Sequence, residues 1–213
     1  MSKAIVLLSG GLDSAVALSW AKRQWQVYAL TIKFGVVNSN EVNAAKKIAR
    51  LAGVTRHIIV DLEWLKQISE IGHKAQLSVE ARRRFPPIYI PSRNIIFFGI
   101  ASHYAEIYGA RYIVTGHSLW DPFPDSKQPF VKAMNAVLAR GSWLGKKSKV
   151  RIITPFSNAE KKTILKLAVR LKVPVHLTWS CHRNRKAPCG TCDGCVSRSD
   201  AFKQLRLTEN RRS

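Results

Sequence analysis

Apolar residues along this chain follow two rhythms. Ala4–Leu8, Val27–Ile32 and His57–Val60 are short, nearly continuous apolar runs, as expected of parallel strands covered on both faces. Between them the apolar positions fall at helical spacing. Ala15, Val16, Leu18 and Ala21 mark one helix, ending at Lys22 and Arg23; Val42, Ala45, Ile48 and Ala52 mark another, capped by Asn40 and stopped by Gly53. Residues 61–89 are less regular and read as a helix followed by a mobile, basic loop. Ser92 then caps a helix carrying Ile95, Phe98, Ala101 and Ala105, closed by Gly109. Tyr112–Thr115 and Val150–Thr154 read as the fourth and fifth strands, with a helix over Phe130–Leu138 between them. Ser157 and Glu160 form an S-x-x-E capping box ahead of a helix reaching Leu171. This alternation predicts right-handed crossovers and a doubly wound, open parallel α/β sheet.

Composition narrows the class without naming a function. At 213 residues, 46% hydrophobic and 23% charged, the chain suits one well-buried domain with at most a small appendage. No stretch of 18 uninterrupted apolar residues is present, which argues against a membrane span. Nothing resembling a leader precedes the first strand, so a cytoplasmic protein is expected. A net charge of +22 points to polyanionic partners, either nucleic acid or nucleotide phosphate, or to a basic solvated surface. The positive residues are dispersed, with local clusters such as Arg82–Arg84, and no aromatics are interleaved with them. Charge therefore leaves nucleic-acid binding open.

Chemistry begins where the first strand ends, in Ser9-Gly10-Gly11-Leu12-Asp13-Ser14. Glycines between a strand and a helix let consecutive N–H groups converge, and the helix N-terminus adds partial positive charge, so the turn suits a phosphate. The Ser9 and Ser14 hydroxyls can donate to phosphate oxygens. Asp13 would repel them unless a cation such as Mg²⁺ lies between. Neither a P-loop nor a dinucleotide fingerprint is present. The motif SGG-x-DS after a first strand resembles the pyrophosphate-binding motif of the ATP pyrophosphatases. That resemblance implies cleavage of ATP between its α- and β-phosphates, adenylation of a carbonyl-type oxygen, and displacement of AMP by a nucleophile.

All four cysteines fall within fifteen residues, at Cys181, Cys189, Cys192 and Cys195. Four thiolates at this spacing suit a closed, structural tetrahedral Zn²⁺ site, with Gly190 and Gly194 allowing the knuckle turns. An iron–sulfur cluster is the rival, because cysteine ligands suit both metals. The segment TWSCHRNRKAPCGTCDGCVSRSDAF closely resembles the C-terminal signature of the 7-cyano-7-deazaguanine synthase family. YIPSRNIIF at Tyr89–Phe97 and VTGHSLWDPFPDSKQPF at Val114–Phe130 match the same family in the same order. The resemblance runs from about residue 3 to 203, and the combination of motifs is more specific than any one of them.

The resemblance implies ATP-dependent adenylation of 7-carboxy-7-deazaguanine, amide formation with ammonia, and a second activation that leaves the nitrile. It implies an ATP-pyrophosphatase domain over residues 1–175 with a zinc-knuckle element at 176–213. Carried over residue by residue, Leu8, Ser9, Gly10, Gly11, Leu12, Asp13, Ser14, Ile32 and Gly35 would hold ATP with Mg²⁺. Arg93, Asn94, Gly116, Asp121, Asp125 and Lys127 would hold the deazaguanine acid, and Asp13, Ser14 and Arg93 would be catalytic. Arg93 has a structural salt bridge as its plain alternative, and Asp125 the capping of the next helix. Cys181, Cys189, Cys192 and Cys195 would hold one zinc. The expected partners are ATP, ammonia and the small acid, with the protein a homodimer. The second-strand loop departs from the family's Tyr-Gly-Gln-Arg-His, reading Phe34-Gly35-Val36-Val37-Asn38, and Lys127 stands where the family has arginine. These departures keep two other readings in view. One is a relative that attaches the acid to RNA or protein. The other is a basic zinc-knuckle module that binds nucleic acid.

Overall fold

The computed structural model describes residues 1–34, 39–62, 92–119, 121–143, 150–183 and 186–206. The irregular segment expected at 61–89 lies outside these residues from 63 onward, its first two residues belonging instead to the third strand. Residues 35–38 of the altered second-strand loop, Gly35 among them, lie outside them as well. Five strands form one parallel sheet in the order β3-β2-β1-β4-β5. They are β1 (Lys3–Leu7), β2 (Gln26–Phe34), β3 (Arg56–Leu62), β4 (Tyr112–Val114) and β5 (Arg151–Ile153). Among the described residues six α-helices accompany them: α1 (Leu12–Lys22), α2 (Ser39–Ala52), α3 (Arg93–Tyr108), α4 (Gln128–Gly141), α5 (Lys161–Arg170) and α6 (Asp193–Gln204). Pro124–Ser126 and Val175–Leu177 are short 3₁₀ turns.

The apolar runs are explained by two cores, one on each face of the sheet. Ala4, Val6 and Leu8 turn to the core built with α1, α2, α5 and α6, whereas Ile5 turns to the core built with α3 and α4. Each strand position is thus buried from one side or the other, which is why β1 shows no polar alternation. The doubly wound α/β architecture is the one expected. Ala201 and Phe202 of α6 belong to the first core, so the C-terminal element is packed into the domain.

Three helix starts differ from the local rules, and the first is that α2 begins at Ser39 and so includes Asn40, its expected cap. Ser92 precedes α3 but sits in the left-handed region at φ 56° and makes no side-chain cap; Asp125, brought from another loop, accepts from the Asn94 N–H at 2.9 Å instead. The S-x-x-E box does not form at α5 either. That helix begins at Lys161 with Glu160 at its cap position, and the Ser157 hydroxyl accepts from Gln128 Nε2 at 2.8 Å. At α3 a tertiary partner supplies the cap, and at α5 a tertiary partner engages the hydroxyl that the local motif would have used.

The strand order reverses between β1 and β4. In open α/β sheets this switch point opens a crevice beyond the carboxyl ends of the strands, where ligands bind. The phosphate-type loop leaves β1 at that place, and the loop carrying Gly116 leaves β4 beside it.

Candidate active site and metal centre

The Ser9–Ser14 loop is braced by its own hydroxyls. Ser14 Oγ donates to the Gly11 carbonyl at 2.9 Å and accepts from the Ser9 N–H at 3.2 Å; the Ser9 and Ser14 hydroxyls lie 3.0 Å apart. Gly10 has φ 93°, and a Cβ there would fall on the Glu41 carbonyl oxygen in the first turn of α2. Gly11 takes an ordinary extended conformation as the cap residue of α1. Gly116 is required for a different reason: a Cβ on it would come within 2.7 Å of the Asp13 backbone. The loops leaving β1 and β4 therefore touch through glycine.

A cleft opens on both sides of this loop. Its first lobe, about 290 Å³, lies at the switch point. From the expected nucleotide set it is lined by Leu8, Ser9, Asp13, Ser14 and Ile32, and from the expected substrate set by Arg93, Asn94, Gly116 and Asp121. The second lobe, about 220 Å³, reaches Gly11 and Leu12 on one wall and Lys161, Trp179 and Ser180 on the other. Ser9, Asp13, Ser14 and Glu41 border both lobes.

Charge is distributed unevenly around the cleft. Both Asp13 carboxylate oxygens accept from Lys161 Nζ at 2.8 Å, across 148 residues of chain. The Arg93 guanidinium is held by aromatic faces instead, 5.8 Å from the Phe34 and Phe97 ring centres and 5.4 Å from that of Phe123. No salt bridge to Arg93 is found among the described residues. His117 Nδ1 and Asp121 Oδ1, both on the first lobe, are buried polar atoms with no hydrogen-bond partner among the described residues. Such atoms mark where a polar ligand would be received. Burial lowers the His117 pKa, with Asp121 acting in the opposite direction. Glu41 is pushed up to about 7 by burial, against the pull of Arg93.

Asp125 and Lys127 stand outside both lobes. Asp125 is 9% exposed, and its carboxylate is spent on α3, while Asn94 Nδ2 donates back to the Asp125 carbonyl at 3.1 Å. Asp125 therefore caps a helix, although not the helix that follows it. Lys127 is exposed and donates to the Leu119 carbonyl at 3.1 Å. Sequence reasoning missed Lys161, Glu41, His117 and Trp179. Only Glu41 and Lys161 carried any local signal, as charged residues in the first turn of a helix.

The four cysteine sulfurs lie within 4.8 Å of one another, and no disulfide joins them. Tetrahedral zinc at about 2.3 Å per sulfur needs sulfurs about 3.8 Å apart; Cys189 and Cys195 Sγ are 4.0 Å apart. Backbone N–H groups point at the sulfurs, Cys192 N at 3.3 Å from Cys189 Sγ and Cys189 N at 3.3 Å from Cys181 Sγ. The Thr191 backbone donor is the largest influence drawing the Cys189 thiol down to about 5. The donor set thus fits a thiolate-bound metal ion. Gly190 serves the knuckle through its φ of 75°, and Gly194 through close approach, since a Cβ there would fall on the Ser180 carbonyl. The knuckle is tied to the cleft: Trp179 N–H donates to the Gly10 carbonyl at 2.9 Å. Buried Arg198 donates from Nη1 to Thr178 Oγ1 at 2.6 Å and from Nη2 to the Val175 carbonyl at 2.8 Å.

A parallel sheet of this order, with a glycine turn at its switch point and a cleft around that turn, defines an adenine-nucleotide α-hydrolase-like protein of the ATP-pyrophosphatase kind. NMN synthetase from Francisella tularensis shares the fold with a TM-score of 0.58 at 13% identity, over 98% of this chain and 79% of that one. The chain belongs to the family described as queuosine biosynthesis protein QueC, whose model matches residues 3–206. It is 37% identical to the 7-cyano-7-deazaguanine synthase of Sulfurihydrogenibium sp. (strain YO3AOP1), over 94% of each chain. It is 35% identical to the one from Persephonella marina (strain DSM 14350 / EX-H1), over 98% of this chain and 95% of that one.

Proposed function

We propose that this protein converts 7-carboxy-7-deazaguanine to 7-cyano-7-deazaguanine with ATP, taking its nitrogen from ammonia. The observation that carries the reading is one cleft in which the Ser9–Ser14 loop and Arg93 face each other, in a chain whose relatives bear that synthase name over nearly their whole length. Residues 1–175 supply the activating domain, and 176–213 a knuckle packed on it. The Ser9–Ser14 loop holds the ATP phosphates, and Asp13, once released by Lys161, holds Mg²⁺, which offsets phosphate charge. Arg93 receives the substrate carboxylate. His117 Nδ1 and Asp121 Oδ1, buried and unpartnered among the described residues, suit the hydrogen-bonding edge of a deazaguanine. The four cysteines hold one Zn²⁺, and with every ligand position filled by sulfur its contribution is structural.

Activation is needed because oxide is a poor leaving group and AMP a good one. The acid and the amide present similar oxygens, so one cleft serves both activations. The relatives' shared name favours the free nitrile over attachment of the acid to RNA or protein, and over a nucleic-acid-binding module. The test is a complete reaction of acid, ATP, Mg²⁺ and ammonium followed by mass spectrometry. The amide should appear first and the nitrile second, with AMP and pyrophosphate formed. ATP consumption without nitrile under saturating ammonia would refute the proposal.

A further inference from the structure

Glu41 stands where the two lobes of the cleft meet. It lies in the first turn of α2, and the backbone of that turn sits directly on the phosphate-type loop. A Cβ on Gly10 would fall on its carbonyl oxygen and lie 3.0 Å from the Ala45 nitrogen. Loop and helix start are therefore fixed relative to each other. Among the described residues three carboxylates line the cleft, and they differ in a way that matters. Asp13 borders both lobes but is held at both oxygens by Lys161, and Asp121 borders the first lobe only. Glu41 borders both lobes and is held by no hydrogen bond or ion pair among the described residues. A helix N-terminus and a nearby arginine both favour an ionised carboxylate. Burial outweighs them and pushes this one up to about 7. A half-buried carboxyl without a partner among the described residues, beside a reaction cleft and poised near neutrality, suits proton transfer better than structure.

Ammonia gives up three protons on the way to the nitrile: one goes as the amide oxygen is adenylated to the imidate, and the other two leave in the steps that release AMP. In the first release, ammonia attacks the acyl adenylate. A C–N bond forms, the C–O bond to AMP breaks with its electron pair leaving on AMP, and the nitrogen loses one proton. In the second, the O-adenylated imidate loses AMP by the same C–O cleavage, and its N–H proton departs as the C≡N bond closes. We infer that the Glu41 carboxylate is the proton acceptor for the nitrogen in both releases. This assignment rests on the function proposed above. The charged and titratable groups that face Glu41 across the cleft are Arg93 from α3, Asp13 from α1, Lys161 from α5, His117 and Asp121 from the loop after β4, and His182 from the knuckle. Arg93 and Lys161 are cations, burial weakens His117 as a base, and Asp13 is engaged.

The test compares wild type with Glu41→Gln in four assays. They are acid-dependent ATP–pyrophosphate exchange without a nucleophile, amide formation from ammonium, hydroxamate formation from hydroxylamine, and nitrile formation from the synthetic amide. Hydroxylamine is unprotonated at neutral pH, and the proton its nitrogen gives up after attack is far more acidic than that of attached ammonia, so water can take it and hydroxylamine serves as the bypass. The variant should keep exchange and hydroxamate formation within a few-fold. Amide formation from ammonium and nitrile formation should each fall by about 10²–10⁴. In wild type, the ammonium-dependent rate corrected for free ammonia should rise as pH passes about 7, while the hydroxamate rate should not; this arm needs no variant. Wild-type-like amide formation by Glu41→Gln overturns the assignment. So does equal loss of exchange, hydroxamate and amide, which would make Glu41 structural. Absence of acid-dependent exchange in wild type would instead overturn the proposed function, and this assignment with it.

Discussion

Replacing Gly10 by alanine should separate two glycines that look equivalent in the sequence. Gly10 has φ 93°, a conformation that costs an L-residue about 1–2 kcal/mol. The added Cβ also meets backbone rather than a movable side chain: the Glu41 carbonyl, and the Ala45 nitrogen at 3.0 Å. Relieving that overlap means pushing the first turn of α2 off the loop, an overpacking strain of about 1–3 kcal/mol. Together the two effects approach 3 kcal/mol, a large share of the roughly 5–15 kcal/mol that stabilises a domain. In a protein of this size that corresponds to a fall in melting temperature on the order of 10 °C. Gly11→Ala is the control. Its backbone is extended, and its Cβ would meet only Ser9 Oγ at 3.4 Å and the Trp179 carbonyl at 3.6 Å. Guanidinium denaturation of the two variants, read beside ATP binding, makes the comparison. Equal midpoints for Gly10→Ala and Gly11→Ala would refute the argument, since it requires backbone overlap at one position and not at the other.

Asp13→Asn should lower acid-dependent pyrophosphate exchange by at least about 100-fold with an unchanged circular dichroism spectrum, because the loop is shaped by glycines and hydroxyls while the carboxylate serves a cation; near-normal exchange would remove Asp13 from that role. Metal analysis should find one zinc per chain, and Cys189→Ser should lose it together with stability, whereas iron with visible absorbance would replace zinc in the assignment. Glu41 should also leave a mark on stability against pH. Its pKa rises from 4.5 unfolded to about 7 folded, so folding takes up a proton between those values. The stability it contributes is full below about 4.5 and is lost as pH rises through about 7. Glu41→Gln should therefore exceed wild type by on the order of 3 kcal/mol at pH 8, with the gap closing towards pH 4.5; a gap independent of pH would refute the burial argument.

The legible parts of this protein were those whose chemistry is contiguous. Ser9–Ser14 and Cys189–Cys195 carry their function in local spacing, because one turn and one knuckle each need only a few neighbouring residues. The strands were legible because both faces of the sheet are covered, leaving apolar runs without alternation. Lys161 was not: it reaches Asp13 across 148 residues through crossovers that leave no periodic trace. Glu41 was not legible either, since nothing local reveals that the first turn of α2 is pressed against Gly10. Local capping rules failed at Ser92 and Ser157 for the same reason. A distant carboxylate caps α3, and the Ser157 hydroxyl is engaged by Gln128.

The contrast between Arg93 and Asp13 bears on the order in which ligands enter. A guanidinium resting on three aromatic rings makes no salt bridge among the described residues, so an anion arriving there displaces no carboxylate of theirs. A cation arriving at Asp13 must first evict an ammonium group held at both oxygens. One end of the cleft is open to its ligand and the other is latched. The released Lys161 is then a mobile positive charge a few ångströms from the phosphate loop. In the proposed reaction, the event that admits the metal ion would also deliver a second cation to the phosphates it accompanies.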